Sequence, residues 1–203
     1  MKLIFATHNQ NKFTEIKSQL PANIEILSLQ DVAFSQEIPE PYLTLEENAA
    51  TKANTIFNFF KEACFSDDTG LFVPALNGAP GVHSARYSGP EATPNSNMVK
   101  LLKALENTKD RKAYFQTTIA LKTVSEIKYF TGKVHGSIAL SKKGIGGFGY
   151  DPIFIPENYS ESFAELPLEI KQKIGHRGKA ISALIAYLKD LSFQIIVLKT
   201  LKH

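Results

Sequence analysis

Apolar positions along the chain fall alternately into short runs and helical stripes. A run over residues 3–6 stops at the polar stretch 7–12, after which Phe13, Ile16 and Leu20 recur at i, i+3 and i+7 until Pro21. This predicts a strand over 2–6, a polar turn and a helix. Residues 24–29 alternate enough for a second strand, and Pro39 and Pro41 punctuate a loop over 31–43. Thr44 followed by Glu47 has the spacing of a capping box. The helix it opens runs to about residue 62, with Ala49, Ala53, Ile56, Phe57 and Phe60 as its buried face. Residues 63–66 predict a short strand, 67–70 a turn at its end, and 71–73 a return to extended chain. A long glycine- and proline-rich loop covers 77–90. A helix over 95–106 turns Met98, Leu101, Leu102 and Leu105 inward, and strands over 113–124 and 127–140 are close enough to pair as a hairpin. Pro167 opens a short helix, 177–191 is amphipathic, and 193–201 reads as a final apolar strand. Interspersed helices and strands with one long hairpin predict an α/β fold with a mixed sheet.

The chain has 203 residues, 43% of them hydrophobic, which suits one domain over 1–203 with an ample core. It shows no repeat, low-complexity segment or linker. The net charge is +3, and the lysines are scattered rather than clustered. That allows steering of an anion and gives no reason to expect a direct nucleic-acid partner. The sole cysteine, Cys64, excludes an internal disulfide framework, and no apolar run is long enough to cross a membrane. The expectation is a soluble, cytoplasmic protein without membrane attachment.

Four polar clusters fall at predicted element ends, where sites on α/β sheets form. Thr7-His8-Asn9-Gln10-Asn11-Lys12 precedes a helix, so its amides and Lys12 suit phosphate oxygens; an Asx-rich helix cap is the alternative. Asp67-Asp68-Thr69-Gly70 sets two carboxylates side by side, a pattern that a divalent cation relieves; an Asx turn with Gly70 at positive φ is the alternative. The same D-T-G also occurs in aspartic proteases, but that chemistry needs two facing copies and this helix-rich chain holds one. The stretch 144–152 carries glycines that let a ligand approach the backbone, with Phe148 and Tyr150 to stack on a base and Asp151 to accept from a ring N–H. Lys171, His176 and Arg177 add donors. Lys52, on an otherwise apolar helix face, reads as a snorkelling lysine or a site cation, and Glu40 as a solvated acid or a ligand. Zinc spacing, G-x-S-x-G and the P-loop pattern are all missing. The remaining combination of carboxylates suited to magnesium, cations and a stacking loop points to a nucleotide polyphosphate.

In order along the chain stand T-x-N-x-x-K (Thr7, Asn9, Lys12), E-N-A-x-x-K-A (from Glu47), D-D-T-G (from Asp67), G-A-P-G-x-x-S-A-R-Y-S-G (from Gly78), G-G-F-G-Y-D-P (from Gly146), A-E-L-x-x-x-x-K (from Ala164) and G-H-R-G (from Gly175). This series resembles the inosine triphosphate pyrophosphatase family, enzymes that hydrolyse non-standard purine triphosphates, over nearly the whole chain. The resemblance implies release of pyrophosphate from dITP, ITP or XTP with Mg²⁺, cleansing the nucleotide pool. It also implies a mixed central sheet flanked by helices, two lobes around a cleft, and a homodimer. On it, Asp68 is the base with Lys52 and Asp67 beside it, and Glu40 and Asp68 hold the metal. Thr7, His8, Asn9, Gln10, Asn11 and Lys12 hold phosphates, while Thr69, Phe148, Gly149, Tyr150, Asp151, Lys171, His176 and Arg177 contact substrate. The loop over 80–87 is pocket wall or dimer contact. The sequence departs from the family pattern at His8, where glycine is common, and at Gly175, where serine is common.

Overall fold

The computed structural model describes residues 1–200, with side chains to residue 190. The first apolar run forms β1 (Lys2–Phe5), and Asn9 caps α1 (Gln10–Lys17) by accepting from the Lys12 N–H at 3.1 Å. β2 (Glu25–Leu27) is shorter than its alternation predicts. Thr44 caps α2 (Leu45–Phe60) through the Glu47 N–H at 3.2 Å. Glu47 completes only half of the capping box, because its carboxylate takes the Thr44 hydroxyl rather than the cap amide. β3 (Cys64–Phe72), β4 (Pro80–Gly81), α3 (Pro94–Ala104), β5 (Lys112–Lys122), β6 (Ile127–Ile138), β7 (Phe154–Pro156), α4 (Leu168–Ile174) and α5 (His176–Thr200) follow.

The strands make one seven-stranded mixed sheet, in the order β2-β1-β3-β5-β6-β7 with β4 also on β3. β1 runs parallel to β2 and β3, and the other pairings are antiparallel. The long hairpin is present as β5 and β6. No helix among the described residues is long and apolar enough to cross a membrane.

Two segments differ from the expectation. Asp67-Asp68-Thr69-Gly70 is not a turn but the middle of β3, in register with 116–119 of β5. Polar residues in a strand mimic a turn in sequence; here cations from three helices compensate the carboxylates. Gly70 is present for space, not for positive φ: an added Cβ would stand 2.7 Å from the Gly81 carbonyl oxygen of β4. The strand expected over 193–201 is also not formed, since α5 continues as helix to Thr200 and Leu201 lies outside the described residues. A short apolar run carries no period that separates strand from helix.

Apolar packing occurs at both ends of the long strands. At one end Phe5, Phe65 and Ile119 pack under α1 and α5, and on the opposite face Ile4, Cys64 and Ala120 pack under α2. At the other end Leu71, Phe115 and Phe154 pack with α3. Between these cores β3 and β5 are polar, with Asp67, Asp68, Thr117 and Thr118 all buried. The sheet thus has two apolar lobes joined by a polar waist.

Candidate active site

A cleft of about 420 Å³ opens at this waist. On one edge of β3, β1 pairs only with Cys64 and Phe65, and β4 only with Leu71 and Phe72. That edge of β3 is therefore left unpaired over 66–70, and Asp68 and Thr69 reach the cleft there. Strand alternation separates the adjacent aspartates. Asp68 lies with Cys64 and Ser66 on the α2 face, where it accepts from Asn48 at 3.2 Å. Asp67 lies with Phe65 on the α1/α5 face, 3.0 Å from Lys12 and 3.5 Å from Arg177.

Their ionisation follows from these surroundings. Burial opposes charge on Asp67, but Lys12 and Arg177 outweigh it and hold the carboxyl below the usual range. Burial dominates at Asp68 and raises it, against the pull of Lys52 and Lys12. Asp67 is thus a fixed counter-ion and Asp68 the more basic carboxylate. Lys52 is no snorkelling residue: its ammonium is buried, in contact with Glu40 and 3.8 Å from Asp68. Burial acts to lower Lys52, but Asp68 and Glu40 raise it further.

The cationic end of the cleft is walled by Thr7, His8, Asn9, Asn11 and Lys12, with Glu40, Lys52 and Asp68. Thr7 and Asn9 shape the turn, accepting from the amides of Asn9 and Lys12, each at 3.1 Å. Gln10 and Asp67 are not in the wall; Gln10 is exposed, and Asp67 is buried behind Lys12 and Arg177. Among the described residues no group of three or more His, Cys, Asp or Glu is arranged to hold a metal. Glu40 and Asp68 meet at Lys52, however, and two carboxylates suffice for Mg²⁺ when phosphate oxygens and waters complete its shell. The donor set fits a metal that arrives with a polyphosphate, not a metal caged by protein.

The other end is aromatic. The half-buried Phe148 ring lies 4.8 Å from the Lys171 ammonium and 5.3 Å from the Arg177 guanidinium. Asp151 does not present a vacant Oδ2 to a ligand; that oxygen accepts from the Phe148 N–H and from Lys171, both at 2.7 Å. Gly147, at φ 70°, leaves room for that carboxyl. Tyr150 is buried and donates to the Ser84 carbonyl at 2.8 Å, so it braces the wall. Thr69 accepts from Arg177 at 3.3 Å, and both Thr69 and Gly149 line the cleft. The His176 ring stacks on Phe115 at 4.5 Å and is 4% exposed. Burial, then Arg177 and Lys171, push it well below the ordinary histidine value, so it is neutral. His176 Nδ1, Arg177 Nε and Asp67 Oδ1 are buried without a hydrogen-bond partner among the described residues.

Sequence reasoning missed Glu15 and Asn48. Glu15 is buried in α1, 2.5 Å from Arg177 and 3.5 Å from Lys171. It completes an alternating chain of charges, Lys12–Asp67–Arg177–Glu15–Lys171–Asp151, along the cleft floor. Each interior charge has an opposite neighbour on both sides, which offsets a desolvation cost of several kcal/mol per ion. No local signal marks Glu15, whose partners Arg177 and Lys171 come from the far end of the chain. Asn48 joins Asp68 to both backbone groups of Tyr42.

A model of the Ham1 family matches residues 3–187. The dITP/XTP pyrophosphatase of Flavobacterium johnsoniae is 54% identical over 185 residues, covering 91% of this chain and 96% of that protein. The dITP/XTP pyrophosphatase of Christiangramia forsetii is 50% identical over 188 residues, covering 93% and 99%. The structure of the Staphylococcus aureus Ham1 protein aligns with a TM-score of 0.85 at 37% identity, covering 94% of this chain and 99% of that one.

Proposed function

The chain belongs to the Ham1 family, and from that premise we propose that it hydrolyses dITP and XTP, and ITP with them, to the monophosphate and pyrophosphate. The observation that carries this reading is one cleft with buried cations at one end and a planar, donor-rich pocket at the other. A purine triphosphate has that polarity.

Lys12 and Lys52 face the phosphates and offset the charge that builds on the departing pyrophosphate. Asp68 takes the proton of the attacking water; its raised basicity supports that role. Asp67 stays ionised and keeps Lys12 in place. Glu40 and Asp68 would hold Mg²⁺, which when bound neutralises phosphate charge and aligns the reacting oxygens. Phe148 stacks on the base. His176, with its unpartnered Nδ1, and the guanidinium of Arg177 line the cleft beside Phe148 and meet the polar edge of the base. A 6-oxopurine offers an acceptor at O6 and a donor at N1, and adenine inverts both. Adenine would leave these buried groups unpaired, a penalty of up to about 10⁴-fold.

In this reading the chain is one domain acting in the cytoplasm as a homodimer, whose mass light scattering reads directly. Purified protein with Mg²⁺ should release pyrophosphate from dITP, XTP and ITP and act on ATP far more slowly. Orthophosphate as first product, or equal turnover of ATP, would overturn the proposal.

A further inference from the structure

The span 31–43 crosses the cationic end as a strap, and its attachments are uneven. At its start Phe34 is buried against α2, and its N–H donates to the Leu29 carbonyl at 2.8 Å. At its end Asn48 holds both backbone groups of Tyr42, Lys52 contacts the Glu40 carboxylate, and Arg86 donates to the Glu40 carbonyl at 2.9 Å. Between Phe34 and Glu40 the chain is largely exposed, apart from Ile38, which is half-buried against the same apolar cluster as Phe34. Among the described residues, the side-chain hydrogen bond that reaches this middle from outside comes from His8. Its Nε2 lies 2.9 Å from the Gln36 carbonyl oxygen, and its ring stacks near Phe34 at 6.4 Å. A carbonyl only accepts, so Nε2 carries the proton. His8 itself sits in the turn between β1 and α1, beside Thr7 and Asn9.

We propose that His8 is a positioning residue rather than a phosphate ligand. It ties the turn that carries Thr7, Asn9 and Lys12 to the strap that carries Glu40, and so fixes the distance between the two sides of the triphosphate site. The functional part of this inference rests on the reading of Glu40 as a metal ligand; the tie itself does not. Between its fixed ends the strap is held by this bond and by the packing of Ile38, which is why one exposed hydrogen bond matters. Once it is removed, the residues between Phe34 and Glu40 regain backbone freedom that binding must then remove.

The test compares wild type with His8→Ala, His8→Gly and His8→Gln. Cleavage after the exposed Glu37 by a glutamyl endopeptidase, without nucleotide or magnesium, reads the tie, and steady-state kinetics on dITP with Mg²⁺ read its consequence. Loss of one hydrogen bond predicts about two- to tenfold faster cleavage at Glu37 in the alanine and glycine variants, with a KM increase of similar size and a smaller change in kcat. Glutamine, which can still donate to a carbonyl, should restore both. Unchanged cleavage in His8→Ala, or a glutamine variant as impaired as alanine, overturns the proposal. A raised KM with unchanged cleavage also overturns it, because that result makes His8 a direct phosphate contact. Glu40→Gln separates the two readings. If it leaves magnesium dependence unaltered, the metal assignment falls, and cleavage still decides the tie.

Discussion

Asp67 and Asp68 are neighbours whose carboxyls titrate in opposite directions because the strand turns them to opposite faces. Asp68→Asn should lower kcat by about 10²- to 10⁴-fold, the usual worth of a general base, with KM changed less. Without magnesium Asp68 should titrate above the ordinary carboxylate value, and bound Mg²⁺ should pull it down, so raising magnesium should move the acid limb of activity to lower pH. Asp67 has the reverse linkage. Its folded pKa is depressed, so its stabilisation is present above the ordinary carboxylate value and is lost as pH falls through the folded one. Asp67→Asn strips a buried partner from Lys12 and Arg177 and should cost about 3–5 kcal/mol in urea unfolding at neutral pH, while flattening the acid side of the stability profile. A loss under 1 kcal/mol, about the worth of an exposed ion pair, would contradict the buried role.

The N-terminal turn of α5, which bears His176 and Arg177, packs directly on β6 at Gly132. An added Cβ there would collide with the His176 carbonyl and lie 2.5 Å from the Ala180 nitrogen. Gly132→Ala should therefore shift the base-binding pair as a unit. A displacement near 1 Å costs up to roughly 10²-fold, expected in kcat/KM for dITP, with circular dichroism unchanged. Elements also show what the sequence revealed and what it hid. α2 was readable from Thr44, Glu47 and its alanine stripe, and the β5–β6 hairpin from two long apolar runs. The polar centre of β3 was not. Its strand character depends on Lys12, Lys52 and Arg177, which come from elsewhere in the chain and are invisible to a local pattern. Glu15 was hidden for the same reason, since its helical position looks like any solvated acid until Arg177 is placed against it. Most candidate site residues line one cleft, a grouping that ordered motifs carry and periodicity does not, and Gln10 was included only for its place within one of those motifs.

Across the whole molecule, β3 and β5 are apolar at both ends and polar at the waist, and the cleft follows from that arrangement. The alternating charges along its floor join α1, β3, α5, α4 and the segment before β7 into one network. Such a network should be strongly non-additive. Glu15→Gln with Arg177→Met should destabilise less than the sum of the two single changes, by about 0.5–3 kcal/mol in a double-mutant cycle. Simple additivity would mean that the charges act as separate pairs. Non-additivity of this kind has a genealogical consequence. Descendants of this sequence could replace exposed Gln10 in one step, but an interior charge of the network would be replaceable only together with its neighbour. Over long divergence, the floor of the cleft would then change by rare paired exchanges while the turn above it drifts one residue at a time.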